Sequence, residues 1–532
     1  MKATNRFPTS VSVIWLVILV ALMPVLICFL CFFAIYRVII KIILKIKYGK
    51  DFYGLLNGLD TFHIVGDTTT NFMMPFCLIV RCEKYTSEEF YEITREVISK
   101  PETLAKARTL FRKSFGYPYL IKQKRELYDC TSKMEIVGCP GKRIDKQQLY
   151  ELLSYHYNRP MPHNGMSPYH FLIGTQPINW KDDECDYYPV MIKVHHAIAD
   201  GISVLKTFMA MIADKLQSSE ECKNRLRVPK QNQKVLFKIV NNVWEILKMF
   251  IVILIFYPTY IVVSHTYKGN DANILRNRSL VNQSVLKSNC ETNIECVSKI
   301  KRIKQKFPGT AFTTILITTI SACLDNYFKK SCSRPPRYIT ISIPAKPNSS
   351  ELRYVTPDQT SLSEVKLIND YSLLSVRVPI AIENIDNFEF PSNKQLINRL
   401  NLINKEVDLL KRSFEYQVSR AFMQLVCAVL PELLLKLILD TIDCTTVVSI
   451  IAGPPRMTYA KEQLVISNMV GWVPHLHRIG TSICIFTYDG RLQIGVNADK
   501  ALIPDASVVQ NIADDIYKYL DILEKEVEEY YN

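Results

Sequence analysis

The chain lacks the sequence patterns of several large protein classes. It has no Gly-x-Ser-x-Gly elbow and no convincing Cys–His pairing, so nothing predicts a covalent acyl-enzyme. A basic tail, zinc-finger spacing and an aromatic-rich RNA-binding signature are also missing, although the formal net charge is +14. The excess of basic residues therefore favours an anionic membrane face or an anionic substrate over nucleic acid.

The sequence also lacks a spacing pattern of paired cysteines. The 15 cysteines are scattered without a repeating spacing, and two of them, Cys28 and Cys31, lie inside an apolar run. This usage argues against a disulfide framework or a zinc site and favours a reducing compartment. A chain of 532 residues is too long for one ordinary core, so we expect two domains plus additional segments.

Charge is absent from a long segment near the N-terminus. No residue from Val11 to Tyr36 is charged, and a run of this length can span a bilayer core. No small-residue cleavage site follows, so we predict a retained membrane anchor with its basic flank over residues 1–50. Basic residues predominate after the run, which favours a cytosolic location for the remaining chain. Three sequons favour the opposite orientation if they are used: Asn277, Asn282 and Asn348.

A second apolar run extends from Met249 to Ser264. It is shorter than the roughly 20 residues that a straight spanning helix needs. If it crossed the bilayer once, the two halves of the chain would lie on opposite sides and could not share a site. We therefore predict an interfacial or re-entrant segment within a linker over 231–272, with a core helix between domains as the alternative.

The stretch with the clearest chemical content is His195-His196-Ala197-Ile198-Ala199-Asp200-Gly201. An apolar, β-branched run precedes it and apolar residues at helical spacing follow it, so the histidines are predicted at a strand-to-helix junction. A neutral imidazole in a cleft at such a junction can take a proton from a hydroxyl. The alternative is a packed histidine pair with Asp200 acting only as a helix cap. His63, before a predicted strand, is interpreted as structural.

The spacing His-His-x-x-x-Asp-Gly resembles the signature of the wax ester synthase/diacylglycerol acyltransferase family. That family is part of the coenzyme A-dependent acyltransferases shaped like chloramphenicol acetyltransferase. The resemblance implies that His196 is the general base and that Asp200 orients the loop. It also implies that His195 and Gly201 shape the site.

The resemblance extends from about Leu55 to the end of the chain. It implies an α/β fold of two chloramphenicol acetyltransferase-like domains, with mixed sheets flanked by helices, plus an N-terminal transmembrane helix. The first domain would cover 51–230 and carry the motif, and the second would cover 273–532. A tunnel between them would have His196 at its centre.

Weaker matches in the second domain suggest substrate contacts. The residues expected along the tunnel are Ser449, Gly453, Pro454, Thr313 and Thr314. Two apolar residues, Phe312 and Ile450, stand where the family has an Asn-Asp pair and the asparagine of Ser-Asn-x-x-Gly-Pro. A basic run could meet the phosphates of coenzyme A, although solvated surface is the simpler interpretation: Lys301, Arg302 and Lys304.

The function implied is a membrane-bound O-acyltransferase. It would move a fatty acyl group from acyl-CoA to a long-chain alcohol, giving a wax ester, or to diacylglycerol, giving triacylglycerol. We expect acyl-CoA as a co-substrate, no metal, no permanently bound cofactor and no nucleic acid. The expected location is the endoplasmic reticulum membrane with the catalytic domains in the cytosol, or the plasma membrane. The alternatives are another hydroxyl acceptor, such as a sterol, and a catalytically inactive lipid-binding protein of the same fold.

Overall fold

The computed structural model describes most of the chain. The described residues are 9–65, 72–99, 105–124, 129–136, 141–217, 244, 247–249, 251–253, 255–258, 260, 272–276, 279–290, 295–346, 366–382, 394–440 and 444–531. The sequons at Asn277 and Asn348, and most of the predicted linker over 231–272, lie outside them.

Helices and strands alternate along the described residues. The helices are α1 (Thr9–Tyr48), α2 (Gly58–Phe62), α3 (Ser87–Ser99), α4 (Lys146–Tyr157), α5 (Gly201–Ile212), α6 (Cys296–Lys306), α7 (Phe312–Ser331), α8 (Gln395–Arg412), α9 (Glu415–Ala421), α10 (Cys427–Val429), α11 (Glu432–Leu439) and α12 (Ala506–Tyr531), with a 3-10 turn at Gly49–Asp51 and a π-helical turn at Phe422–Val426. The strands are β1 (Phe52–Leu55), β2 (Met73–Cys82), β3 (Thr109–Ser114), β4 (Tyr117–Lys122), β5 (Thr131–Met134), β6 (Tyr169–Gly174), β7 (Asp186–His195), β8 (Lys215–Gln217), β9 (Ser284–Cys290), β10 (Tyr338–Ala345), β11 (Ser372–Pro379), β12 (Thr446–Ile451), β13 (Arg456–Tyr459), β14 (Leu464–Gly471), β15 (Thr481–Tyr488) and β16 (Arg491–Asp499).

Two large mixed sheets organise these elements. The first has seven strands in the order β5-β6-β7-β2-β14-β13-β8, and the second has six in the order β11-β10-β12-β15-β16-β9. Parallel pairs occur in both sheets, β5 with β6 in the first and β12 with its two neighbours in the second. A three-stranded sheet, β1-β4-β3, lies beside α1. The predicted α/β class with mixed sheets flanked by helices is confirmed.

The two sheets share a stretch of chain. β12 ends in the second sheet at Ile451, and the chain then enters the first sheet as β13 and β14. β14 pairs with β2 over the length from Leu464 to Gly471. Strands that the sequence assigns to the second domain therefore complete the first sheet.

Gly453 lies at this crossover, where the backbone passes close to β15. Its N–H donates to the Thr487 hydroxyl at 3.0 Å, and a Cβ atom here would overlap the carbonyl oxygen of Thr487. We expect Gly453→Ala to lower the free energy of unfolding by about 1–3 kcal/mol, because a backbone atom cannot move aside cheaply. Thermal unfolding of the detergent-solubilised chain measures this. An unchanged midpoint would contradict the close approach.

The hydrophobic pattern predicted the two elements that flank the motif. The apolar run before the motif forms β7, and the helical pattern after it forms α5. The Asp489-Gly490 turn joins β15 to β16 with positive φ at both residues, as a two-residue hairpin of this type requires.

The sequence over Ala421–Asp440 is long and strongly apolar, which predicts a core helix, but a single helix over this stretch is wrong. The chain instead passes from α9 through the π-helical turn to α10, and it breaks before α11. Leu430 is extended, with ψ 141°, because the ring of Pro431 disfavours a helical conformation in the preceding residue. The break exposes α11, whose Leu433 and Leu437 are 74% and 64% exposed.

The apolar N-terminal segment is one continuous helix, α1, that extends beyond the uncharged run. Its most apolar 18-residue window has a mean hydropathy of 3.1 and is 6% buried, so by length and composition the helix could cross a membrane. Its C-terminal part packs on the body of the protein. Ile40 and Leu44 contact Tyr117 and Tyr119, and Arg37 donates to the Leu56 carbonyl oxygen at 2.7 Å.

Candidate active site

The His-His-x-x-x-Asp-Gly motif forms a tight loop between β7 and α5. The Asp200 side chain caps α5 by accepting from the N–H of Ser203 at 2.8 Å. His195 turns inward at the end of β7, and its Nδ1 accepts from the N–H of Ala197 at 3.0 Å. The His195 ring also packs on Phe111, with ring centroids 4.5 Å apart. His195 thus contacts the loop backbone and Phe111, and its predicted role in shaping the site stays a prediction.

His196 lies in the protein interior and stacks on a second histidine. Its ring is 3.7 Å from that of His63, with an interplanar angle of 12°. Burial lowers the pKa of His196 to about 4, and the nearby Asp200 carboxylate acts in the opposite direction. Burial, and then the neighbouring His196, lower the pKa of His63 well below its usual value. Both imidazoles are therefore neutral at pH 7.

His63 is held in turn by a tyrosine from the second half of the chain. The Nε2 atom of His63 and the hydroxyl of Tyr371 are hydrogen-bonded. Burial raises the pKa of Tyr371 well above its usual value, so the phenol keeps its proton. The neutral phenol of Tyr371 thus fixes the neutral imidazole of His63, on which the His196 ring stacks.

Residues 367–371 form a clasp over the motif loop. Asn369 donates from Nδ2 to the carbonyl oxygen of His196 at 2.7 Å. The N–H of Asp370 donates to Oδ2 of Asp200 at 3.1 Å, and Lys346 forms an ion pair with the same carboxylate at 3.1 Å. Asp200 therefore joins the two halves of the chain as well as capping a helix.

A buried ion pair between Lys106 and Asp60 holds the clasp against the motif loop. Lys106 donates to Oδ2 of Asp60 at 2.8 Å and to the carbonyl oxygens of Ile198 and Leu367 at 2.7 and 3.3 Å. Asp60 also accepts from Asn369 at 2.8 Å. Burial raises the pKa of Asp60, and Lys106 opposes this shift. One lysine thus ties α2, the motif loop and the clasp together.

Aromatic side chains close the remaining side of the histidine pair. Phe72 contacts His63, and both Phe62 and Phe72 contact a third histidine, His477, at ring distances of 5.3 and 5.4 Å. Burial lowers the pKa of His477 to about 4. Three imidazole nitrogens of this cluster are buried without a hydrogen-bond partner among the described residues: Nδ1 of His63, Nδ1 of His196 and Nε2 of His477.

This arrangement can accept a proton from a hydroxyl in a dry, apolar setting. A neutral imidazole is a suitable general base, and removal of water strengthens its interaction with a polar group of a substrate. No group of three or more His, Cys, Asp or Glu side chains suited to a metal ion is found in the described part of the chain.

Comparison with protein-family models finds a match in the second half of the chain. Residues 369–524 match the model of the WS/DGAT C-terminal domain. This part of the chain therefore carries a WS/DGAT C-terminal domain. The match begins at Asn369, a residue of the clasp over the motif loop. A search of curated proteins found no match.

Solved structures share the architecture of this chain at low sequence identity. The wax ester synthase/diacylglycerol acyltransferase from Marinobacter aquaeolei is 13% identical, with a TM-score of 0.56 over 89% of this chain and 100% of that chain. The trichothecene 15-O-acetyltransferase from Fusarium sporotrichioides is 10% identical, with a TM-score of 0.57 over 88% and 94%. A starter condensation domain of rhizomide synthetase, solved with C8-CoA, is 10% identical, with a TM-score of 0.50 over 91% and 97%. These likenesses show the fold.

Some of the residues predicted along the tunnel lie beside the motif. Gly201 lies next to Ile451 at the end of β12, where an added Cβ would be 3.5 Å from the Ile451 side chain. Ser449 is buried on the same strand, and Gly453 and Pro454 follow at the crossover between sheets. The structure therefore brings this segment to the motif. Its contact with substrate stays a prediction.

Other predicted residues lie apart from the histidine cluster. Thr313 and Thr314 begin α7, which packs against α6, α8, α12 and β11 in the core of the second sheet. Lys301, Arg302 and Lys304 lie on the exposed side of α6. Arg302 there donates from Nε to Glu524 of α12 at 2.7 Å. None of these residues contacts His196 in the described ranges, so their roles stay predictions.

A cavity of about 560 Å³ lies elsewhere, between α4, β9 and the start of α12, and contains none of the three clustered histidines. Its basic lining residues are Lys146, Lys181, Lys287 and Arg491. Burial and nearby cations, of which Arg491 acts most strongly, lower the pKa of Lys181. Glu151, Asp505 and Asp514 line the same cavity, so its charge is mixed.

Several residues of the site escaped the sequence analysis. His63 was interpreted as structural, and Lys106, Tyr371 and His477 were not singled out. No local signal distinguished Asn369 and Asp370, because the sequence has Asn-Asp pairs at both Asn270-Asp271 and Asn369-Asp370, and neither is at the start of α7, where the family pair was expected. The structure places Asn369 and Asp370 against the motif loop.

Proposed function

We propose that this acyltransferase moves a fatty acyl group from acyl-CoA to the hydroxyl of a long-chain alcohol, of diacylglycerol, or of both. The observation that carries the proposal is the neutral, buried imidazole of His196, set in the family motif and fixed by residues from both halves of the chain. The apolar surroundings suit a lipid acceptor.

In the proposed reaction His196 accepts the proton of the acceptor hydroxyl. The hydroxyl oxygen attacks the thioester carbonyl carbon, and a tetrahedral oxyanion forms. Its collapse breaks the carbon–sulfur bond, and the protonated His196 returns the proton to the coenzyme A thiolate. The products are an ester and free coenzyme A, and no bond to the protein forms.

The remaining site residues act by positioning. Asn369 and Asp200 fix the loop that carries His196, and His63 with Tyr371 supports the face of its ring. Lys301, Arg302 and Lys304 are the residues proposed to meet the coenzyme A phosphates. Part of this basic face is already paired, since Arg302 binds Glu524.

The proposed location is a membrane, held by α1, with the endoplasmic reticulum and a cytosolic catalytic body as the specific expectation. Four basic residues shortly after the uncharged run support a cytosolic C-terminal side: Arg37, Lys41, Lys45 and Lys47. A membrane site suits the reaction because the acyl chain and the acceptor both partition into lipid.

Ester formation by membranes that contain the full chain tests the proposal. Labelled palmitoyl-CoA is supplied with hexadecanol, with dioleoylglycerol or with cholesterol in separate reactions, and membranes without the chain serve as the control. Wax ester or triacylglycerol above the control supports the proposal, and the ratio of the two names the preferred acceptor. Cholesteryl ester alone would favour the other-acceptor alternative. No ester with any acceptor would favour a lipid-binding protein.

The pH dependence follows from the pKa of His196. Because burial lowers it to about 4, the imidazole is the unprotonated base at every higher pH. We expect kcat/KM to be nearly flat from about pH 8 to about pH 5 and to fall only as the pH approaches 4, since kcat/KM reports groups of the free enzyme. A pH profile with a short assay measures this. A midpoint near the ordinary histidine value of about 6.5 would contradict the buried setting.

A further inference from the structure

The membrane helix packs on the body of the protein inside its uncharged run. Met23 is buried in an apolar cluster, and Leu30 and Phe33 pack against the same cluster. A helix rises about 1.5 Å per residue, so a hydrocarbon core about 30 Å thick takes about 20 residues. Any such stretch placed between Val11 and Tyr36 includes both Met23 and Leu30. The surface that α1 meets at these residues therefore lies at the depth of the hydrocarbon.

Residues 251–253 and 255–258 are part of that surface. Ile253 is buried in the cluster with Met23, whereas Ile251 and Ile255 point outward and are exposed. Two stacked ring pairs fix the segment on the body: Phe256 on Phe414 at 3.9 Å and Tyr257 on Phe422 at 6.2 Å.

Helix α11 and the β3–β4 turn continue the surface. The Tyr117 hydroxyl lies 3.4 Å from the carbonyl oxygen of Phe33 in α1 and 2.7 Å from that of Val429, just before α11. The N–H of Glu432 donates to the Gly116 carbonyl oxygen at 2.8 Å, so the start of α11 lies against the turn that carries Phe115.

Each of these elements has exposed apolar side chains and adjoins the part of the body that packs on α1. We call this the lipid face, defined by Phe115, Ile251, Ile255, Leu433 and Leu437, all of which are exposed. The only charged residues of α11 are Glu432, which pairs with Lys113 at 2.7 Å, and Lys436. A lysine beside an apolar face can extend its amine to the phosphate layer.

We propose that the lipid face is inserted into the leaflet next to the body of the protein, so that the membrane binds both α1 and the catalytic body. The occupant is lipid, because the face is continuous with a helix whose contact residues already lie at hydrocarbon depth. The cluster beneath the face also contains Phe62, Phe72 and Tyr371, which contact the histidines. An acceptor could thus pass from the bilayer to His196. This passage of an acceptor to His196 rests on the proposed function, whereas the insertion of the lipid face does not.

Photo-crosslinking of the full chain tests the insertion without an activity assay. p-Benzoylphenylalanine is introduced at Leu437 or, as a matched control, at Leu409, which is 58% exposed on α8. The chains are reconstituted in vesicles of labelled phosphatidylcholine and irradiated. We expect on the order of tenfold more labelled lipid on the Leu437 variant than on the control, as an apolar face that enters the acyl region requires. The same probe at Leu433 checks a second point of the face.

Equal lipid labelling at 437 and 409 would overturn the proposal, because α11 would then lie in water. Adducts at 437 to a second protein, or to another copy of this chain, in place of lipid would overturn it as well. Both outcomes are independent of ester formation. An inactive protein that still labels at 437 would contradict the proposed function and leave the insertion supported.

Discussion

Replacing His196 with alanine is expected to lower ester formation by about a hundredfold to ten-thousandfold, the usual contribution of a positioned general base. The neutral imidazole is the group proposed to accept the acceptor's proton, and the neighbouring His63 is hydrogen-bonded to Tyr371. His196→Gln keeps much of the side-chain volume but cannot take a proton at neutral pH. It should therefore show a similar loss. Initial rates with saturating palmitoyl-CoA measure both variants.

The matched control is His156→Ala. His156 lies in the last turn of α4, and the bond that it makes to Lys193 uses its backbone carbonyl oxygen, which alanine keeps. This variant should retain near wild-type activity. Unfolding midpoints of the three variants separate lost chemistry from lost structure. If the His196 variants stay folded and turn over within about tenfold of wild type, His196 is not the base.

Lys106→Met is expected to destabilise the protein by about 3–5 kcal/mol, because it leaves the buried Asp60 carboxylate without its cation. Burial already raises the pKa of Asp60, and loss of Lys106 raises it further. A carboxyl group whose pKa is higher in the folded than in the unfolded state binds its proton more tightly when the protein is folded. Its contribution to stability is therefore present at low pH and is lost as the pH rises from the unfolded-state pKa through the folded-state pKa. The variant should therefore lose more stability at pH 8 than at pH 5, as measured by denaturant unfolding in detergent.

Two further variants make this prediction specific. Lys106→Met with Asp60→Asn removes the buried charge and should recover much of the loss, although the bonds to Ile198 and Leu367 stay broken. Lys133→Met removes an exposed ion pair to Glu88 and should cost less than about 1 kcal/mol. A Lys106 variant no less stable than the Lys133 variant would contradict a structural role for the buried pair.

Local pattern predicted the motif loop and its flanks because the decisive information is close in sequence. The run before His195 is apolar, β-branched and of strand length, the helix after Gly201 has an apolar side, and Asp200 is a favoured cap residue. The same reasoning found β12, the hairpin of β15 and β16, and the closing helix. It failed over Ala421–Asp440, where hydrophobicity favours a helix but Pro431 divides the stretch.

The partners of the motif could not be predicted from one sequence, because tertiary packing alone brings them together. His63 meets His196 by stacking, and stacking has no local sequence signature. Lys106 is a single lysine in a basic chain, and only its burial against Asp60 distinguishes it from surface lysines. Asn369 and Asp370 precede β11, and nothing in the local sequence shows that they contact the motif loop.

The crossover of β13 and β14 has a consequence for the edges of the first sheet. β2 is buried along nearly its whole length and is covered on one edge by β7 and on the other by β14. Without the strands from the second half of the chain, ten apolar-rich residues would offer a row of unpaired backbone groups. Such an edge recruits other strands and promotes aggregation. During synthesis the first half of the chain must therefore keep that edge covered until residues 456–471 are made.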